Sequence, residues 1–181
     1  GVDLLAIGEM GIGNTTSASA LYCCLLGLTP EQAAGPGTGL DKSGVKHKAH
    51  ILEQALKRYS GTDPILALQN FGGLEIAAMT GAYLKAAELN IPVLLDGFIA
   101  TSAALVATRI QPQTAKCLIA CTKSAEPAHH YALSALNINK PLFEWEMRLG
   151  EASAAVLAIP TMKAACAVLQ MTTLDNVLQN Q

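Results

Sequence analysis

Residues 2–26 read VDLLAIGEMGIGNTTSASALYCCLL, and this stretch decides the fold. Val2 to Gly8 is short, apolar and stopped by glycine, the pattern of a buried strand. Gly11-Ile12-Gly13-Asn14 makes a tight turn, and Thr15 or Thr16 stands where a helix cap belongs. Ala18, Leu21, Leu25 and Leu26 then carry a helix. The same order returns downstream. Ile91 to Leu95 (IPVLL) is a strand ending in Asp96-Gly97, and Phe98 to Arg109 is helical. Lys116 to Cys121 (KCLIAC) is a third strand, and Glu126-Pro127 opens a helix through Leu136. Pro141-Leu142-Phe143 reads as a short strand, and Glu151 to about Leu169 as a long Ala-rich helix. Near-continuous apolar strands alternating with helices predict one α/β domain over 1–181. Its expected architecture is a parallel sheet covered by helices on both faces, doubly wound and Rossmann-like. Ligands in such sheets sit beyond the carboxyl ends of the strands, so the turns after Gly8, Leu95 and Cys121 should converge on a site.

Between the first two strands, Thr29 to Leu40 reads as a loop rich in Gly and Pro, and Asp41 as the next cap. Val45, Ala49, Leu52, Leu56 and Tyr59 share one helix face by their spacing, and Gly61 ends that helix. Asp63-Pro64 opens a short helix, Gly72-Gly73 breaks it, and Leu74 to Glu88 is a further helix.

Half of the 181 residues are apolar, 14% are charged, and the net charge is −2. This balance describes a globular chain and gives no basic stripe for nucleic acid. No apolar run reaches the roughly 18 residues of a membrane span, and no signal peptide is visible. The five cysteines lack zinc-ligand spacing. Cys23 and Cys24 fit a helix core, and Cys117 and Cys121 are expected on one face of a strand. Free thiols of this kind fit a cytoplasmic location.

Three segments could carry chemistry. The turn from Gly8 to Thr16 joins a strand to a helix start, where backbone N–H groups and the helix dipole can cradle an anion; a ligand-free tight turn is the plain alternative. Gly35-Pro36-Gly37-Thr38-Gly39-Leu40-Asp41 offers a backbone that can wrap a ligand, or only a flexible loop. Lys46 and Lys48 follow it; Lys48 could neutralise a phosphate, though most helical lysines are solvated. In Met147-Arg148-Leu149-Gly150-Glu151 the carboxylate of Glu151 is either a partner of the helix dipole or a general base. His129 and His130 are adjacent and read as structural or solvated, and His47 and His50 lack a third metal ligand.

Taken in order, GEMGIGNTT (8–16), GPGTGLD (35–41), GVKHK (44–48), GGLEIAAMTGA (72–82), IPVLLDGFI (91–99), SAEPAH (124–129) and MRLGE (147–151) resemble the nicotinate-nucleotide:dimethylbenzimidazole phosphoribosyltransferase family, and specifically its C-terminal half. The resemblance implies transfer of the phosphoribosyl group of nicotinate mononucleotide to 5,6-dimethylbenzimidazole. The products are nicotinate and α-ribazole 5′-phosphate, a step toward the lower ligand of cobalamin. It implies Glu151 as the general base. It places Gly11, Gly13 and Asn14 against the phosphoribosyl group, Glu9 near the ribose or incoming base, and Lys48 on the phosphate. Gly37, Thr38 and Gly39 are carried over with the glycine loop. Ser124 is carried over as a partner of the phosphate or nicotinate, and Asp96 as a ribose contact. No metal or bound cofactor is implied; the expected partners are the two small-molecule substrates, with no nucleic acid or membrane. A homodimer, or pairing with an N-terminal segment, is also implied.

This chain departs from the family pattern at two places. MRLGE is followed by Ala152-Ser153-Ala154 where the family has Gly, then Thr or Ser, then Gly; and Cys121-Thr122-Lys123 precede SAEP where the family has Ser-His. The chain also opens at Gly1 directly on its first strand, and the family enzyme is about twice as long, so a fragment is expected. The competing expectation is therefore a non-catalytic nucleotide-binding fragment, or a subunit that needs a partner segment.

Overall fold

The computed structural model describes residues 1–171. Strand β1 (Leu5–Ile7) leads through the glycine turn into helix α1 (Thr15–Leu26). Helices α2 (Pro30–Ala33), α3 (Lys42–Leu56), α4 (Pro64–Phe71) and α5 (Leu74–Glu88) precede β2 (Val93–Leu95). Helix α6 (Phe98–Ile110) and a 3-10 turn (Pro112–Cys117) lead to β3 (Leu118–Ala120). Helix α7 (His129–Ala135) and helix α8 (Ser153–Leu169) complete the described chain.

The three strands form one parallel sheet in the order β1-β2-β3. Leu5 pairs with Val93 and Val93 with Leu118, so the strands start level. Alternation along the strands divides the core. Leu5, Ile7, Val93, Leu95 and Leu118 face a large cluster built on α1, α5 and α6. Ala6, Leu94 and Ile119 face a smaller one closed by Ala154, Ala155 and Ala158 of α8. Helices thus cover both faces, as the apolar strands predicted. Helix α6 is the centre of the larger cluster. Nine of its residues are buried, and Ala100, Thr101, Ser102, Ala103 and Ala104 keep it thin enough to take neighbours closely.

Two contacts fix the start of α6 against the second half of α1. The Tyr22 hydroxyl donates to the Phe98 carbonyl at 2.6 Å, and the Tyr22 and Phe98 rings meet edge to face at 4.9 Å. Ser19 Oγ donates to the Ala33 carbonyl at 2.7 Å and pins α2 to α1.

Several boundaries differ from the sequence expectation. The strand expected at 2–8 is paired only over Leu5–Ile7. The segment expected as strand from Lys116 begins inside the 3-10 turn, so Cys117 is not on the strand that Cys121 follows. Pro141-Leu142-Phe143 makes an isolated parallel bridge between Phe143 and Thr122 in place of a strand. The helix expected from Glu126 starts at His129. Within the expected loop at 29–40 lies α2, closed by a capping box between Thr29 and Gln32. The α1 cap position is Asn14, not Thr15 or Thr16, and its side chain makes no capping bond.

Candidate functional site

The cleft lies at the carboxyl ends of the three strands, as parallel-sheet geometry dictates. It has a volume of about 470 Å³ and is lined by the turn from Gly8 to Thr16, the loop at Pro36–Thr38, Lys48, the segment after β2, Thr122, Ser124 and Glu126, and the strip from Met147 to Glu151. Among the residues singled out from sequence, Glu9, Gly11, Gly13, Asn14, Gly37, Thr38 and Lys48 line it, as do Asp96, Ser124 and Glu151. Gly39 is not among the lining residues.

The starts of α1 and α6 both open on the cleft, through Asn14–Thr16 and Gly97–Ala100. Neither start has a side-chain cap, so unsatisfied N–H groups and dipole ends favour an anion here. Lys48 adds a full charge from α3. Its Nζ donates to Thr15 Oγ1 at 2.8 Å and to the Gly35 carbonyl at 3.2 Å, and the residue is only 5% exposed. Burial pulls the Lys48 pKa down, and the nearby Glu126 carboxylate opposes that pull.

Carboxylates surround the same space. Glu9 Oε2 accepts from Asn14 Nδ2 at 2.5 Å, and Glu75 Oε1 accepts from the same amide at 3.2 Å. Asn14 therefore lines the cleft while its amide donates to two carboxylates, and its αR backbone departs from the extended conformation of a capping residue. Burial raises the Glu9 pKa; bonds from Asn14 and the Gly11 backbone work against it, and Glu75 and Asp96 add to it.

The resemblance implies a ribose contact for Asp96. In the structure its Oδ1 accepts from the backbone N–H groups of Ala154 at 2.8 Å and Ala155 at 3.3 Å, so it caps α8 from another element. Burial raises its pKa, and these backbone bonds partly offset the rise. Ser124 also turns inward. Its backbone N–H donates to His129 Nδ1 at 2.8 Å, and its Oγ accepts from the Glu126 N–H at 3.3 Å.

The strip carrying Glu151 is held against the first turn. The Glu151 N–H donates to the Glu9 carbonyl at 3.3 Å. Gly150, Glu151 and Ala152 have φ of 77°, 59° and 60° in succession. Only glycine adopts this region freely. The approach is so close that a Cβ on Gly8 would stand 1.9 Å from Ala152 N. Glu151 itself is exposed at the cleft rim.

Two carboxylates of the site escape a reading of the sequence. Glu126 reads there only as a helix start, although its place in SAEPAH sets it just past β3. Glu75 reads only as part of a helix. Neither has a spacing signal that singles it out, since both reach the site through tertiary contacts.

Known proteins resemble this chain in sequence and in fold. The sequence profile of a family described as "Phosphoribosyltransferase" matches residues 1–177. The nicotinate-nucleotide--dimethylbenzimidazole phosphoribosyltransferase of Xanthomonas axonopodis pv. citri is 51% identical over 162 residues, covering 89% of this chain and 46% of that protein. The enzyme of that name from Pseudomonas fluorescens Pf-5 is 49% identical over 168 residues, covering 92% and 48%. The crystal structure of CobT from Thermus thermophilus superposes with a TM-score of 0.92 at 42% identity, over 97% of this chain and 53% of that one. The chain spans about half the length of the curated relatives it matches. On sequence profile, curated relatives and superposed fold together, the chain belongs to the nicotinate-nucleotide:dimethylbenzimidazole phosphoribosyltransferase family.

Proposed function

We propose that this chain binds nicotinate mononucleotide in the cleft and takes part in transfer of its phosphoribosyl group to 5,6-dimethylbenzimidazole. The observation that carries the reading is the convergence of two uncapped helix starts and the buried Lys48 on a cleft whose rim holds Glu151. The phosphate is placed at the α1 start beside Lys48, where N–H groups and one ammonium offset its charge. One benzimidazole nitrogen attacks the anomeric carbon from the face opposite the leaving group, so the configuration inverts. The electron pair of the broken bond passes to the pyridinium nitrogen, which leaves neutral and needs no acid. Glu151 takes the N–H proton of the acceptor. The protein's share is positioning and one proton transfer.

The partners in this reading are the two small molecules, and the reaction serves cobalamin lower-ligand synthesis. Pairing as a homodimer, or with an N-terminal segment, is supported by Val156, Leu157 and Leu169, which α8 leaves exposed. A cytoplasmic location is supported by five free cysteines. No helix among the described residues is long and apolar enough to cross a membrane.

The exposure of Glu151 favours a second reading, a nucleotide-binding unit without turnover. One experiment separates the two. Nicotinate mononucleotide binding and product formation are measured for the 181-residue chain and for Glu151→Gln. Binding with turnover that Glu151→Gln lowers about 100-fold or more supports the transferase and its base. Binding without turnover, not rescued by adding the N-terminal half of a relative, supports the second reading. Absence of binding sinks both.

A further inference from the structure

Among the carboxylates that line the cleft, Glu126 is the one set beside the lysine that would meet an anion. It is 6% exposed and lies between β3 and α7. Its two oxygens are used differently. Oε1 accepts from the Gly37 N–H at 2.7 Å. Oε2 is buried without a hydrogen-bond partner among the described residues. Burying a carboxylate forfeits its hydration, so this one has to be read from the groups it meets.

What it does can be read from the loop it touches. Gly35 and Gly37 lie outside any helix or strand, so no regular backbone ladder fixes them. Instead the loop is gripped at two points. Lys48 Nζ donates to the Gly35 carbonyl, and the Gly37 N–H donates to Glu126. The two grips pull on opposite kinds of backbone group, so the loop's orientation is defined. Gly35 lets the carboxylate come in: a Cβ there would stand 2.1 Å from Glu126 Oε2. Charge closes the arrangement. The Glu126 carboxylate offsets the tendency of burial to strip Lys48 of its proton.

We propose that Glu126 is a positioning residue of the donor site, clamping the Gly35–Gly37 loop so that the loop and Lys48 meet the phosphoribosyl group in a fixed geometry. This rests on the donor-site reading above. Glu126 does not touch the reacting atoms in this assignment; it acts through the loop and the lysine.

The test compares Glu126→Gln, which keeps a carbonyl acceptor for Gly37, with Glu126→Met, which fills the space without one. Both are made in the 181-residue chain. Amide hydrogen exchange of Gly37 and affinity for nicotinate mononucleotide are measured, with the Leu94 amide as a core reference. In Glu126→Met, Gly37 should exchange about 10-fold faster or more while Leu94 is unchanged. Its affinity should fall about 10- to 100-fold, the loss expected for one charge-assisted hydrogen bond. Glu126→Gln should keep Gly37 protected and most of the affinity. A packing role alone would leave the two variants alike, and that result overturns the clamp. Gly35→Ala tests it from the other side without altering the carboxylate, and should also free Gly37 and weaken binding; if it does neither, the clamp fails. Should the unmodified chain bind no nucleotide, the donor-site reading falls. The Gly37 exchange rates then decide the clamp by themselves, unchanged protection in Glu126→Met overturning it.

Discussion

Ala152 is the residue where sequence and backbone disagree most openly. It holds φ 60° and ψ 18°, a left-handed conformation that costs an L-residue about 1–2 kcal/mol, at the position where the family pattern carries glycine. Ala152→Gly removes that strain and adds some unfolded-state entropy, for a net gain of about 0.5–1 kcal/mol. A thermal melt should rise by about 1–4 °C, and an unchanged or lower midpoint would show that the turn is not strained. Gly8 is the complementary case. The 1.9 Å approach to Ala152 N leaves no room for a methyl group. Gly8→Ala should destabilise by about 2 kcal/mol or more and detach the Glu151 strip, seen as loss of protection at the Glu151 amide. His129 gives the pH dependence. It is 1% exposed, with Nδ1 accepting from Ser124 N–H and Nε2 2.9 Å from Thr101 Oγ1. Burial first, then His130 and Lys123, lowers its pKa to about 4, below the usual 6.5. The unfolded chain therefore binds this proton first as the solution is acidified. The stability contribution is whole above about pH 6.5 and is lost as pH falls toward 4, by up to roughly 3 kcal/mol. Glu9 and Asp96, with raised pKa values, work in the opposite sense, so the measurement is a difference. Urea unfolding between about pH 7 and about pH 4.5 should show a steeper loss in the parent than in His129→Asn, which keeps an acceptor for Ser124. Equal slopes would exclude the assignment.

At the scale of elements, what was legible in the sequence was whatever local chemistry alone decides. Helix α5 spans Leu74–Glu88 as expected because Gly72-Gly73 stops the chain on one side and a β-strand follows soon after. Asp41 and Asp63 cap α3 and α4 with side-chain bonds of 2.7 and 2.8 Å. Helix α2 is hidden in a Gly- and Pro-rich loop, although Thr29 and Gln32 carry its capping box. Spacing alone assigns Tyr59 to α3. The helix ends at Leu56, and Tyr59 reaches the core separately, with its ring 6.3 Å from that of Phe71. The cap of α8 could not be read locally, because Asp96 comes from the end of β2, 58 residues before Ala154. That cap makes a prediction about an element. Asp96→Ala leaves the Ala154 and Ala155 N–H groups buried and unpaired, and should cost about 2 kcal/mol. Asp96→Asn keeps the acceptor and should cost less than half as much. Denaturant titration of both decides it; equal losses would mean that the charge matters and the cap does not.

For the whole molecule, the cleft draws on residues from Gly8 to Ala154, although those residues are far apart in sequence. Its main recurring elements, the glycine turn, Lys48 and the MRLGE strip, were legible because each is a continuous motif. Glu75 and Glu126 were not, because only folding brings them to Asn14 and Gly37. A site built this way ties the first turn, α3 and the start of α8 to one ligand, so occupancy should register in the stability of the entire fold. Nicotinate mononucleotide at about 100 times its Kd should stabilise the chain by about 2.7 kcal/mol, raising the melting midpoint by about 5–10 °C. Lys48→Met keeps most of the buried stem and removes the ammonium. It should lower the unliganded midpoint somewhat, since it frees the Gly35 carbonyl and leaves the buried Glu126 carboxylate without its neighbouring positive charge, so the ligand effect is read as a shift from each protein's own unliganded midpoint. The ligand-induced rise should nearly vanish, because the phosphate loses its only full positive charge among the residues lining the cleft other than Arg148. If Lys48→Met keeps the full shift, the phosphate is held by the helix starts or by Arg148, and the anion end of the site has to be moved from α3 toward the MRLGE strip.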